Sequence, residues 1–558
     1  MVYEKLRDLT EEATRKSGFE AVNFTVEHPA NLELGDYASN IALVLGKKNG
    51  QNPMDVAEKI AEVLRQVEDN SLSRIEVASP GFINFFLSKE FFSKSLKNIL
   101  EDKQFGKNEN LKGKKVIVEY TDPNPFKEFH IGHLMSNSIG ESISRLIEWN
   151  GAEAKRACYQ GDVGLHVAKA VWGAVKNKES GIKNQEWGKC YTEGAKAYKE
   201  NDTAKKEIEE INKKIYDRSD EEINKLYNEG RKESLEYFET IYKKLDTKFD
   251  FYFFESESGP FGKKIVLENK GGIFEESEGA IIFRGEKYDN SLHTRVFINS
   301  DGLPTYEAKE LGLAKIKYEK YPYDMSVVIT GNEVNEYFRV LLVAMSLVFP
   351  ELAEKTKHIS HGMLRLPSGK MSSRTGEVIS AESLILELKN AVKDKFKETR
   401  RDSDDKLAEE VAVGALKYSI LKQAAGKDVV FDIGKSISLD GDSGPYLQYT
   451  KARINSVLEK CRSLGIESSA NGGQNFEIER VVYIFPEVVE RASTEFSPHY
   501  ILNYLVEVAS RFNAFYAQNT IADKNDPESP HKAAIAQAVG QILESGLHLL
   551  AIPSPHNM

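Results

Sequence analysis

The chain has 558 residues, 41% hydrophobic and 29% charged, a composition typical of soluble folded proteins and a length that calls for three or four domains of roughly 100–200 residues. No apolar run reaches the ~18 residues of a membrane span, and the start, MVYEKLRDLTEEATRK, carries an amphipathic stripe of Leu6, Leu9 and Ala13 in place of a signal peptide's apolar core. Three scattered cysteines, Cys158, Cys190 and Cys461, form neither a disulfide framework nor a zinc spacing and fit a reducing cytoplasm, while a net charge of 75 minus 86, or −11, argues against bulk DNA binding but allows local basic patches for a folded RNA.

Residues 1–108 predict a small α/β domain. LELGDYASNIALVLGKK sets Gly35 and Asp36 just ahead of a helix, and a second helix over 53–67 starts with an Asn52 cap and Pro53 and turns Val56, Ile60, Val63 and Leu64 inward. RIEVASPGFINFFLS predicts two strands about a Ser-Pro-Gly turn. LKGKKVIVEYT opens a second domain with a buried strand over 116–120, leading into DPNPFKEFHIGHLMSNSIG, a loop that runs into a helix. Residues 174–247 are rich in Lys and Glu, with Tyr, Ile and Leu at helical spacing. They predict a helical insertion in an α/β domain, with a helical hairpin over 202–230. Strand signals return at FDFYFF, GAIIFRG, RVFIN and MSVVIT, and from about 405 the chain is almost wholly helical, with domain limits at 1–108, 109–404 and 405–558. No repeat or low-complexity tract interrupts it.

A parallel strand, a loop and a helix form the unit of open α/β sheets, whose ligands sit at the carboxyl ends of the strands. Free N–H groups and the helix dipole at that point attract phosphate. Ile131, Leu134, Ile139, Ile143, Leu146 and Ile147 hold the helix to the sheet and set His130 and His133 on its first turn. Gly132 between them lets a flat nucleobase or ribose approach the backbone. The spacing also permits zinc ligation, though no third ligand is nearby, as well as general-base work or a plain helix start. A second stretch, LPSGKMSSRTGEVIS, sets Lys370, Ser372, Ser373 and Arg374 between two glycines: a point charge, two hydroxyls and a planar fork suited to a polyphosphate. Taken alone it could be a surface loop.

Together the two stretches resemble the signature motifs of class I aminoacyl-tRNA synthetases. HIGH at 130–133 is a full match, and KMSSR at 370–374 is similar to the second motif, with Ser373 where that pattern has Lys. VEYTDPNPFKEFHIGHL, LELGDYASNIAL, GDSGPYLQYTKARI and the terminal LLAIPSPHNM resemble the arginyl-tRNA synthetase family over essentially the whole chain. The resemblance implies a small α/β N-terminal tRNA-binding domain, a Rossmann-like catalytic domain with a helical insertion, and an all-α anticodon-binding domain. Another class I synthetase, such as the one for cysteine, is disfavoured by the N-terminal domain and by Pro123-Asn124. A non-catalytic tRNA-binding paralogue would have no need of His130, His133 and Lys370.

The implied reaction joins arginine to ATP as arginyl-adenylate and then passes it to the 3′ end of tRNA(Arg). His130, His133 and Lys370 are implied as catalytic, with Lys127 supporting or replacing the loop lysine. Gly132, Met371, Ser372, Ser373 and Arg374 are implied at ATP, which enters with Mg2+ as a substrate complex; no tightly bound cofactor or metal is expected. Glu119, Asn124, Tyr306 and Glu310 are implied at arginine, a carboxylate-rich and partly aromatic set fitted to a planar cation with five donors. Tyr306 and Glu310, four apart, share a helical face, and Glu310 is longer than the Asp the pattern usually has. Asp36 and Tyr37 in the N-terminal domain, and Lys417, Tyr418, Tyr446, Gln448, Tyr449, Lys451 and Arg453 in the helical domain, are candidate tRNA contacts; Tyr446 and Tyr449 could equally be core. A cytoplasmic monomer with no DNA or membrane partner is expected.

Overall fold

The structure is a computed structural model and describes residues 1–179, 186–365, 367, 380–398, 404–472 and 476–558. At its centre is a five-stranded parallel sheet of β1 (Lys115–Glu119), β2 (Glu153–Gln160), β3 (Phe251–Phe254), β4 (Met325–Gly331) and β5 (Thr356–His361), in the order β5-β4-β1-β2-β3. The first strand lies in the middle and the order reverses between β1 and β4, which creates a crevice at their carboxyl ends. Val116 pairs with Met325 on one side and Ala154 on the other. Both faces of β1 are buried, as in parallel sheets generally. Val116 and Val118 pack under Leu134, Ile143, Leu146 and Ile147, while Ile117 meets Ala157, Leu313 and Tyr323.

The helix Ile131–Trp149, the signature helix, lies on β1 with nearly every residue buried. Gly140 permits this close approach: a Cβ there would come within 2.2 Å of the Tyr120 ring. Ser136 Oγ accepts from Thr121 N (2.9 Å) and donates to Ile329 O (3.1 Å), bracing the loop after β1 against β4.

Between β2 and β3 the chain forms the helices Leu165–Glu179, Trp187–Glu200, Asp202–Asp217 and Glu221–Lys244, packed about Val167, Val171, Cys190, Ile208 and Tyr227. The expected hairpin is the second pair, turning at the left-handed Arg218 (φ 54°). GAIIFRG and RVFIN belong not to the parallel sheet but to a small antiparallel one, Glu275–Ser277, Ala280–Arg284 and Thr294–Ile298, inserted between β3 and β4.

In the N-terminal part the helix Pro53–Leu64 is capped by Asn52, whose side chain accepts from Met54 N, and the strands Leu72–Ala78 and Phe82–Leu87 pair antiparallel. Gly35 and Asp36 do not lead straight into a helix. A strand, Tyr37–Ser39, intervenes because it pairs with Phe82–Leu87, and Ile41–Asn49 follows it. The helices Asp405–Leu421, Gly444–Ser463, His499–Gln518 and Ser529–Leu549 make up most of the C-terminal part. No helix among the described residues is long and apolar enough to cross a membrane.

Candidate active site

His130 is the N-cap of the signature helix, and its Nδ1 accepts from Gly132 N at 3.1 Å. His133 Nδ1 in turn accepts from His130 N at 3.2 Å. An imidazole nitrogen that accepts carries no proton, so both rings hold theirs on Nε2. The rings stack with centroids 3.5 Å apart. Burial and Lys127 lower the His130 imidazole to about 4. Burial, His130 and Lys127 put His133 well below its ordinary value. At neutral pH the first turn therefore presents two uncharged N–H donors at the positive end of the dipole of a 19-residue helix. With both Nδ1 atoms engaged, the pair is poorly set for zinc, and no group of three metal-ligating side chains occurs among the described residues.

Lys127 lies on the same loop, half-buried, 5.1 Å over the Tyr191 ring of the insertion. Burial and Lys169 lower its ammonium. The loop holds unusual backbone: Thr121, Asp122 and Phe126 are non-glycine residues at φ 81°, 47° and 69°. Such conformations persist where surrounding bonds over-determine them. Here those bonds run from Thr121 N to Ser136 Oγ, from Tyr159 N to Asp122 Oδ1 (2.7 Å) and from Phe126 N to Ser234 Oγ (2.9 Å).

Beside this turn lies a pocket with more carboxylates than cations. Glu119, 1% exposed, is paired with the equally buried Lys317 at 2.8 Å. Among the described residues Asp122 and Glu310 form no ion pair of that kind and have Lys317 as their nearby cation. Burial, then Glu119, raises Asp122 well above the carboxylate range and Glu310 to about 8. Next to them Asn124 covers Gly161, where a Cβ would fall 2.2 Å from Asn124 Oδ1, and Glu255 is paired with Lys309 at 2.5 Å. Tyr306, 64% exposed, starts the helix Tyr306–Lys320 that also carries Glu310 and Lys317. Asp162, fully buried at the end of β2, accepts from Ser256 N, Ser256 Oγ, Tyr227 Oη and Arg231 Nε, fastening the insertion to the pocket wall.

The structure thus brings together Glu119, Asn124, Lys127, His130, Gly132, His133, Tyr306 and Glu310 at the β1–β4 crevice. Lys370, Met371, Ser372, Ser373 and Arg374 lie outside the described residues. The segment's exit, however, is tied to the first motif: Ala381 N donates to Phe129 O at 2.7 Å, and Ser380 bridges to His130.

Asp36 and Tyr37 are placed elsewhere than on a free surface. They are 2% and 0% exposed, with Asp36 paired to Arg480 (2.7 Å) and Tyr37 Oη bonded to Glu487 (2.6 Å), so they join the N-terminal part to the helical one. Lys417, Tyr418 and Gln448 are likewise buried in packing. Tyr449 and Arg453 line a cleft with Lys395, Asp440, Tyr446 and Asn513, the guanidinium 4.9 Å over the Tyr449 ring. Asp122, Asp162, Glu255, Lys309 and Lys317 are site residues that sequence reading missed. Lys317 had a signal, since it lies seven residues after Glu310 and so on the same helical face.

Comparisons with known proteins agree with this geometry. A family model for the catalytic domain of class I (R) tRNA synthetases matches residues 95–433. A DALR anticodon-binding domain model matches 447–558, and an arginyl-tRNA synthetase N-terminal domain model matches 2–87. The arginine–tRNA ligase of Treponema denticola is 30% identical over 95% of this chain and 94% of its own. That of Fusobacterium nucleatum is 31% identical with the same coverage. The arginyl-tRNA synthetases of Thermus thermophilus and Plasmodium falciparum share the fold at a TM-score of 0.80 each, at 23% and 20% identity, covering 100% of this chain and 100% and 99% of theirs. The chain belongs to the arginyl-tRNA synthetase family of class I enzymes, which use ATP to ligate arginine to tRNA(Arg).

Proposed function

We propose that this chain forms arginyl-adenylate with the two Nε2–H donors of His130 and His133 directed at the ATP phosphates. The observation that carries this reading is the pairing of those neutral donors, at a helix N-terminus, with a carboxylate-rich pocket a few residues away. ATP·Mg2+ enters as a substrate complex, with Gly132 leaving room for it beside the histidines and the segment Lys370, Met371, Ser372, Ser373 and Arg374 at its phosphates. Arginine's guanidinium lies among Glu119, Asn124 and Glu310, with Tyr306 at the mouth. Its carboxylate attacks the α-phosphorus in line and pyrophosphate leaves; a hydroxyl of the tRNA 3′ ribose then attacks the carbonyl of the adenylate, takes the arginyl group and releases AMP.

Phosphoryl chemistry of this kind depends on alignment and on stabilising charge as it moves toward the leaving pyrophosphate. The histidine donors are fixed before substrate arrives, so they need no reorganisation. Lys127 and Lys370 share the neutralisation, and an incoming anion offsets the burial and the Lys169 charge that lower the Lys127 ammonium. Tyr449 and Arg453 are proposed tRNA contacts. Asp36 and Tyr37 are proposed to act on tRNA only by seating the N-terminal domain. The proposed domain limits are 1–108, 109–404 (insertion 174–247) and 405–558, and the proposed state is a cytoplasmic monomer with no DNA partner.

His133→Ala and Lys370→Ala should each slow ATP–pyrophosphate exchange, assayed with tRNA present, by roughly 10²–10³, with little change in arginine affinity. Near-normal exchange in His133→Ala overturns the assignment of the donors.

A further inference from the structure

Two helices end at one point behind the active site. The last inserted helix, Glu221–Lys244, and the last C-terminal helix, Ser529–Leu549, close in the same way. Each ends in a left-handed residue that is not glycine, Asp246 (φ 51°) and Ala551 (φ 52°). In each, the following amide bonds back to the helix: Thr247 N to Tyr242 O, and Ile552 N to Leu547 O. Their terminal carbonyls then converge on two buried cations. Arg145, 8% exposed and on the signature helix, donates Nη1 to His548 O (2.9 Å) and Nη2 to Asp246 O (2.8 Å) and Oδ2 (2.9 Å). Lys417, 0% exposed, donates Nζ to Leu245 O (2.5 Å) and Ala551 O (2.8 Å). Ser142, one turn before Arg145, donates to Leu549 O (2.8 Å).

Each basic side chain thus bonds one carbonyl from each helix end, where the dipole favours positive charge. Arg145 is also held by Glu141 (2.7 Å), which reaches Arg156 on β2 (2.9 Å) and Tyr120 at the end of β1 (2.5 Å). The signature helix is therefore fastened at its rear to the insertion and to the C-terminal domain at once, while its front turn carries His130 and His133.

We propose that Arg145 and Lys417 are positioning residues for adenylate formation. They form a node through which the inserted helices and the C-terminal domain together set where the signature histidines stand. The proposal rests on His130 and His133 facing the ATP phosphates. Neither node residue touches substrate. Loss of the node should lower kcat and spare substrate binding, because the pockets remain while the helix that aligns the donors is free to shift.

The test uses full-length Arg145→Gln and Lys417→Met in ATP–pyrophosphate exchange, with and without tRNA. KM is measured for arginine and ATP, Kd for tRNA, and Tm for each variant. Lys264→Gln, which loosens an exposed pair with Glu268 on a helix that carries no node residue, serves as control. The expected result is a fall in kcat of about ten-fold or more with tRNA present, KM values and tRNA Kd within about two-fold, and a normal control. Arg145→Lys, which keeps the charge but not the fork, should recover part of the rate. Wild-type kcat at temperatures well below Tm in both node variants makes the cluster merely structural and overturns the proposal. If Arg145→Gln does not fold, Arg145→Lys and Ser142→Ala carry the same comparison. His133→Ala is run in parallel. If it exchanges normally, the reading of the histidines has failed. If it is inactive and the node variants are normal, the node alone has failed.

Discussion

Glu310 is a carboxyl group that its surroundings hold in the neutral form. Burial and the nearby Glu119 raise it to about 8, so at pH 7 it holds a proton in the empty pocket. A guanidinium favours the carboxylate, so arginine bound there as proposed displaces that proton. Arginine affinity should therefore rise as pH climbs from about 6 and level off above about 8. Titration calorimetry at pH 7 in two buffers of different ionisation enthalpy should show proton release on binding. Glu310→Gln should weaken arginine by roughly 10–100-fold and flatten the pH dependence; an unchanged slope places the titrating group elsewhere. The sign for stability is opposite. A carboxyl raised in the folded state costs stability as pH rises from its ordinary 4.5 towards about 8, so the arginine-free protein should lose Tm over that span and regain it with arginine. Of this pocket, Glu119, Asn124, Tyr306 and Glu310 were legible in sequence because each stands at a fixed offset from a motif or a helix start. Lys317 reaches Glu119 across 198 residues, and only the β1–β4 juxtaposition makes that pair visible.

At the scale of elements, the signature helix works because it lies unusually close to β1. Gly140→Ala inserts a methyl group 2.2 Å from the Tyr120 ring. The helix must lift, with an expected cost of about 1–3 kcal/mol by urea denaturation and a fall in exchange rate at unchanged arginine KM. If stability drops and the rate does not, the helix's seating is unimportant to catalysis. The element pattern was largely readable: β1, the signature helix and the helical hairpin follow from apolar periodicity and caps. GAIIFRG and RVFIN were legible as strands, but not as members of a separate antiparallel sheet, because periodicity carries no information about partners. Lys417 was misread for a related reason. A lysine among aromatics looks like an RNA contact until two helix ends are seen to enclose it.

For the whole molecule, an acidic chain must still bind a polyanion, and the Tyr449–Arg453 cleft is the contact proposed for it. Arg453→Ala should weaken tRNA binding and lower the salt dependence of its affinity by about one phosphate contact; an unchanged salt slope moves the contact elsewhere. The N-terminal part is latched by Asp36–Arg480 and by Tyr37 and His28 to Glu487. Arg480→Met leaves the Asp36 carboxylate buried without its partner, which costs about 3–5 kcal/mol when such a pair is broken. Hydrogen exchange should then quicken across 26–39 while the β1–β5 sheet stays protected. Equal protection in the variant would mean that the latch contributes nothing. Asp36 and Tyr37 were drawn from sequence as surface residues because a motif gives no burial.

The order β5-β4-β1-β2-β3 also bears on how the chain reaches this state. Val116 cannot meet Met325 until both inserted segments between them have been looped out, and pairings so distant in sequence form slowly. The inserted helices, made of local contacts, are suited to form first and shorten that search. Until β4 arrives, the apolar edge of β1 is open to other chains, which makes the interval before sheet closure the period when aggregation competes most strongly with folding.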